Sequence, residues 1–113
     1  MERKPDVDPA TFFALDLRVG RVESVERNDE AHKPAWKLFV DFGPGVGRLQ
    51  TSAQVRNYPA DELVGRLVVG AINLGPKRIA GFRSEFLVLG GIDPDGTVHL
   101  LSVDGVQPGD PVA

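Results

Sequence analysis

The sequence contains no cysteine, which removes disulfide staples, thiolate metal sites and thiol catalysis and fits a reducing compartment. Histidine is scarce as well: His32 lies in a polar turn and His99 in a strand-like run, neither with ligands at metal-binding spacing. No metal and no other cofactor is expected. Also missing is any apolar run approaching the roughly 20 residues that cross a bilayer. The charged opening Met1-Glu2-Arg3-Lys4 is not followed by the apolar stretch of a signal peptide. The expectation is a soluble, cytoplasmic protein without membrane insertion. Ser52 and Ser84 stand outside any nucleophile motif, and Gly43, Gly45 and Gly47 match neither phosphate-binding glycine pattern. No catalytic residue is assigned, and no enzyme is expected.

What is present is 113 residues, enough for one modest core and too few for two domains. Thirteen Lys and Arg against sixteen Asp and Glu give a net charge of −3, so the chain as a whole does not advertise a polyanion partner. Its distribution differs. Between Phe42 and Arg83 the basic residues Arg48, Arg56, Arg66, Lys77, Arg78 and Arg83 face only Asp61 and Glu62, while the other acids gather mostly toward the two ends.

Periodicity points to strands. Trp36, Leu38, Val40 and Phe42 alternate with Lys37, Phe39 and Asp41, the pattern of a half-buried strand. Before it, Leu17 and Val19 alternate, but Val22 and Val25 fall out of phase, which suggests a bulge near Gly20 in a curled first strand. Gly43-Pro44-Gly45-Val46-Gly47 turns the chain into a third strand at 48–53. Residues 54–63 suit a short helical connection, and the nearly continuous apolar run at 67–74 suits a strand buried on both faces. A basic loop at 75–83, a fifth strand at 86–89, the Asp93-Pro94-Asp95-Gly96 turn and a sixth strand at 98–103 follow. Asp8 or Thr11 is positioned to cap an apolar turn through Phe12, Phe13 and Leu15. This order predicts an all-β, five-stranded OB-fold barrel with a short helical connection and small terminal extensions; an SH3-like barrel is the alternative.

The stretch Pro76-Lys77-Arg78-Ile79-Ala80-Gly81-Phe82-Arg83-Ser84 brings three cations, a hydroxyl and an aromatic together between strands. In an OB-fold such a loop borders the oligonucleotide groove, where cations meet phosphates and aromatics stack on bases. The alternative is a solvated loop whose Ile79 and Phe82 plug the barrel end.

Thr51-Ser52-Ala53-Gln54-Val55, the long block from Val69-Gly70-Ala71-Ile72-Asn73 through Ser84-Glu85, and Leu87-Val88-Leu89-Gly90-Gly91 closely resemble the tRNA-binding-domain family, in particular its stand-alone CsaA-type branch. The resemblance runs from about Phe12 to the end of the chain. It implies an OB-fold domain at 12–113 after a flexible lead at 1–11, a homodimer, and binding rather than catalysis. The family binds tRNA and other structured RNA. Its CsaA-type members are described as export-related chaperones that hold unfolded or preprotein chains and interact with the secretion motor.

By the family pattern Asn73, Lys77, Arg78 and Ser84 are RNA-binding candidates, to which strand placement adds Arg48 and Lys37. Phe39, Phe82 and Phe86 are candidate peptide contacts, Phe86 having a core position as its alternative. Phe12, Phe13 and Leu15 are candidates for the dimer contact, or else a staple closing one barrel end. After Ser84 the chain departs from its RNA-binding relatives: Glu85, Phe86 and Leu87 replace an uncharged residue, Gly and Met. A carboxylate beside the phosphate path is expected to weaken RNA affinity.

Overall fold

In the computed structural model, which describes residues 2–113, the elements follow in the order α1 (Pro9–Phe13), β1 (Leu17–Asn28), β2 (Ala35–Asp41), β3 (Arg48–Ala53), α2 (Ala60–Leu63), β4 (Leu67–Ala71), β5 (Lys77–Ile79), β6 (Phe82–Ser84), β7 (Leu87–Val88), β8 (Gly90–Ile92) and β9 (Val98–Leu100). An antiparallel five-stranded sheet in the order β3-β2-β1-β4-β7 curls around the core, with β5–β6 and β8–β9 as separate hairpins. This is the all-β architecture of an OB-type barrel.

Alternation decides which side chains fill the barrel. Leu38 and Val40 of β2 and Phe42 just after it are fully buried, and Val22, Val55, Leu63, Val68, Phe86 and Leu100 complete the same cluster. Leu63, the one buried residue of α2, sits in that cluster, so the short connection after β3 contributes to the core as well as turning the chain. Beta-carbons at Gly20 and Gly70 would lie 2.8 Å from the Phe42 ring and 2.8 Å from the Phe86 ring, respectively. These two glycines therefore make the space into which the edge-to-face pair Phe42–Phe86 packs, with centroids 4.9 Å apart.

The bulge expected near Gly20 lies instead at Glu23. Val22 pairs with Val40 and Ser24 with Phe39, so Glu23 is the extra residue. That insertion lets Val22 and Val25, three apart, both face inward. Leu17 and Val19 are out of phase with Val22 for a different reason. They lie on the opposite face of the sheet, paired with Ala71 and Val69, and are buried there too. Along this first part of β1 the C-terminal tail takes the edge that β2 occupies further on: Gly109 N–H donates to Val19 O, and Val112 N–H to Leu17 O, both at 2.8 Å. Strand β4, as its composition suggested, is buried on both faces but stops at Ala71, three residues short of the expected end.

The barrel closes between β3 and the stretch 84–86. Glu85 N–H donates to Gln50 O at 2.8 Å, the Glu85 carboxylate accepts from Gln50 N–H at 3.1 Å, and Thr51 Oγ1 donates to Phe86 O at 2.7 Å. The basic segment expected as a loop is a hairpin. Ala80 and Gly81, both at positive φ (52° and 77°), form its two-residue turn, and Lys77, Arg78 and Ile79 pair with Ser84, Arg83 and Phe82. Asp8 caps α1 by accepting from Ala10 N–H at 2.9 Å. Residue 1 of the expected lead lies outside the described residues. No helix among the described residues is long and apolar enough to cross a membrane.

Candidate functional site

The β5–β6 hairpin folds over the outer face of β2 and β3. Lys37 and Phe39 point out from β2, on the side opposite Leu38 and Val40. The Phe82 ring meets Phe39 edge to face at 6.1 Å, and Lys37 Nζ stands 5.1 Å from its centroid. Gln50 Nε2 donates to Arg83 O at 3.0 Å and Ser52 N–H to Ser84 Oγ at 3.0 Å, fastening β6 along β3. A strand 2–3 face bordered by the loops after strands 1 and 4 is where OB-folds bind oligonucleotides, and here it carries aromatic and cationic groups side by side.

Lys77 and Arg78 are exposed on this hairpin. Arg78 directly faces Arg83 across the pair, an arrangement of like charges that costs stability and that a bound polyanion relieves. In the free chain Arg78 Nη1 donates to Gly81 O at 2.8 Å, and Arg83 lies 3.7 Å from the Glu85 carboxylate. Glu85 is thus held by the barrel seam and by Arg83, which absorbs part of the negative charge expected to oppose phosphate.

The remaining candidates are placed differently. Arg48, at the far end of β3, gives Nε and Nη2 to the two carboxylate oxygens of bulge residue Glu23, and this hydrogen bond raises the guanidinium pKa above its ordinary value. Asn73 is exposed, yet its side chain ties the N-terminal segment to the end of β4: Oδ1 accepts from Asp16 N–H at 2.8 Å and Nδ2 donates to Ala14 O at 2.9 Å. Ser84 is only 6% exposed and its hydroxyl oxygen serves β3, so it is a fastening inside the fold. Phe86, at 5% exposure and packed on Phe42, takes the core position that was its alternative to a peptide contact. Ser52 Oγ accepts from Asn28 Nδ2 at 2.8 Å, and among the described residues neither serine hydroxyl is hydrogen-bonded to a histidine or a carboxylate.

Behind the hairpin lies a cleft of about 460 Å³, bordered by Leu74, Pro76, Ile79 and Leu87 with Thr51 and Phe86 among its lining residues. Exposed apolar side chains accumulate nearby in the chain: Leu74 and Leu87 at its rim, and Phe12, Phe13 and Leu15 on the segment that Asn73 clamps. Phe13, 71% exposed, touches Phe12 edge to face at 5.5 Å. Gln50 was not singled out from the sequence, because a polar strand residue looks the same whether it fastens a hairpin or faces solvent.

His99 and Asp93 form a pair at 2.9 Å across the β8–β9 hairpin. The hydrogen bond from His99, followed by the backbone N–H of Thr97, lowers the Asp93 pKa. No group of three His, Cys, Asp or Glu side chains that could hold a metal ion occurs among the described residues.

A closed β-barrel with an aromatic and cationic outer face and an adjoining apolar cleft is an OB-type binding domain. Residues 17–111 match the family described as "Putative tRNA binding domain", and the chain belongs to that tRNA-binding domain family. Among solved structures, the CsaA chaperone protein from Picrophilus torridus is 44% identical with a TM-score of 0.91, over 96% of this chain and 100% of that one. The chaperone CsaA from Bacillus anthracis is 37% identical with a TM-score of 0.86, over 96% and 100%. Methionine–tRNA ligase 1 of Sorangium cellulosum is 38% identical over 106 residues, which are 93% of this chain and only 15% of the ligase. The chain therefore spans a small part of that relative's length.

Proposed function

We propose that this chain is a non-enzymatic, cytoplasmic binding protein that, as a homodimer, holds unfolded or preprotein polypeptides and also binds tRNA or another structured RNA. The observation carrying the polypeptide role is the apolar cleft with its exposed rim of Leu74 and Leu87, continued along the chain by Phe12, Phe13 and Leu15. Single exposed apolar residues are ordinary, but apolar side chains gathered at the rim of a cleft mark a site for a partner. Two copies joined through Phe12, Phe13 and Leu15 would set two clefts in one particle able to grip an extended segment, and the secretion motor is the partner to which such a segment is passed. The likeness to the two CsaA chaperones supports this reading.

The RNA role has its own observation. Lys77, Arg78 and Arg83 crowd one hairpin beside the Lys37, Phe39 and Phe82 stack, so phosphate and base contacts lie within one strip. The test sets purified protein against bulk tRNA and against an unfolded preprotein over a salt series. Expected are tRNA binding whose logarithmic salt slope falls by about 2 in Lys77→Ala plus Arg78→Ala, and polypeptide binding that Arg78→Ala alone, outside the cleft lining, leaves in place. No tRNA binding at low salt would end the RNA role. Failure to bind unfolded chains or to suppress their aggregation would end the chaperone role.

A further inference from the structure

We propose that the pocket between the 29–34 loop and the β5–β6 hairpin receives one unpaired adenine of a bound RNA, a reading that rests on the RNA role proposed above. The pocket holds about 190 Å³. This is below the roughly 300–1,000 Å³ of sites for drug-sized ligands, so it has room for a single flat ring system. Ala35, 2% exposed, lines it from the start of β2, while Ala31 and Ile79 present methyl groups from the loop and the hairpin. Small apolar surfaces of this kind are what a splayed-out base packs between. The two walls come close at the hairpin turn, where a Cβ on Gly81 would stand 3.9 Å from the Glu30 carboxylate.

Two polar groups give the pocket chemistry beyond shape. Ser52 Oγ accepts from the amide of Asn28, itself 2% exposed, at 2.8 Å, which holds the hydroxyl in place with its own hydrogen still to donate. Gln54 is exposed and its carboxamide makes no hydrogen bond among the described residues. A carboxamide offers a donor and an acceptor side by side, the complement of adenine N7 and N6–H₂. Lys33 and His32 also line the pocket and supply donors to the phosphates flanking the base. The phosphates pass on their side and not along Glu30, whose charge repels them. The wider cleft behind the hairpin shares Ser52 and Ile79 with this pocket and has Lys77 in its lining, but no carboxamide lines it, and that is the chemical difference between the two.

The test uses the full chain and three RNA hairpins with identical stems: blunt, with one unpaired 3′ adenosine, and with one unpaired 3′ uridine. Fluorescence anisotropy at low salt reads each affinity. The adenosine overhang is expected to bind on the order of tenfold more tightly than the blunt stem, the uridine overhang to gain less, and the ratio to collapse toward one in Gln54→Ala. Equal affinities for blunt and overhanging stems would overturn the pocket while leaving the RNA role standing. Absence of binding to all three would remove that role and the pocket with it. An unchanged ratio in Gln54→Ala, with weaker capture of an unfolded polypeptide, would reassign the pocket to a peptide side chain. AMP alone is the remaining arm: millimolar binding is expected, and micromolar binding would make this a free-nucleotide site and overturn the RNA assignment.

Discussion

Phe42 shows how closely single residues are specified in this barrel. Its ring occupies space left open by Gly20 and Gly70 and meets Phe86 edge to face. Gly70→Ala would press a methyl group 2.8 Å from the Phe86 ring and 3.1 Å from that of Phe42. Overpacking of this kind is expected to cost about 1–3 kcal/mol, read as a lower urea midpoint at unchanged slope. Phe42→Ala, which empties the same site, should cost roughly 3–5 kcal/mol by the same measurement. The inward position of Phe42 was legible, because it continues the alternation of Trp36, Leu38 and Val40. Phe86 and Ser84 were not. At the entrance to a short strand no period is long enough to tell a core aromatic from a surface one, and a buried serine has no sequence mark until its partner on β3 is known.

At the scale of elements, the two hairpins outside the main sheet carry the distinctive features. The β5–β6 turn places Ala80 at φ 52°, a left-handed conformation that costs a residue with a β-carbon. This explains why the segment looked like a loop: two-residue hairpin turns are recognised by Asn-Gly or Gly-Gly, and Ala-Gly gives no such signal. Ala80→Gly is expected to raise stability by up to about 1 kcal/mol, checked by denaturant unfolding. In the β8–β9 hairpin the lowered pKa of Asp93 has a defined sign. A carboxylate favoured in the folded state adds stability above its unfolded pKa of about 3.9 and loses it as pH falls through the folded value. Asp93→Asn should therefore flatten the acid limb of the stability curve below about pH 4, seen in melting temperatures across that range. The β1 bulge was legible as a phase slip but misplaced, since one slip combined two causes: the extra residue Glu23 and the switch of Leu17 and Val19 to the other buried face.

For the whole molecule, a net charge of −3 gave no hint of a polyanion surface, and the cations became meaningful only through placement on one hairpin and one sheet face. The barrel itself was legible, because element order and strand periodicity constrain a chain of this size to few closed solutions. The cleft was not, since its lining is assembled from β3, the end of β4, the hairpin and β7, distant in sequence. If Phe12, Phe13 and Leu15 join two copies, Phe13→Asp should halve the mass seen by light scattering while far-ultraviolet circular dichroism retains its β signature. An unchanged mass would place the contact elsewhere.

Ile79 belongs to the lining of both the 190 Å³ pocket and the 460 Å³ cleft. Ser52 is shared as well, but Ile79 is the apolar one of the two and acts as a mechanical common wall: whatever fixes its rotamer on one side sets the shape available on the other. Free-energy linkage then requires reciprocity, so any factor by which a polypeptide in the cleft changes RNA affinity must equal the factor by which RNA changes polypeptide affinity. The chain would exchange cargo, with arrival of one ligand tuning release of the other, and truncating the partition in Ile79→Ala should bring the two binding events closer to independence.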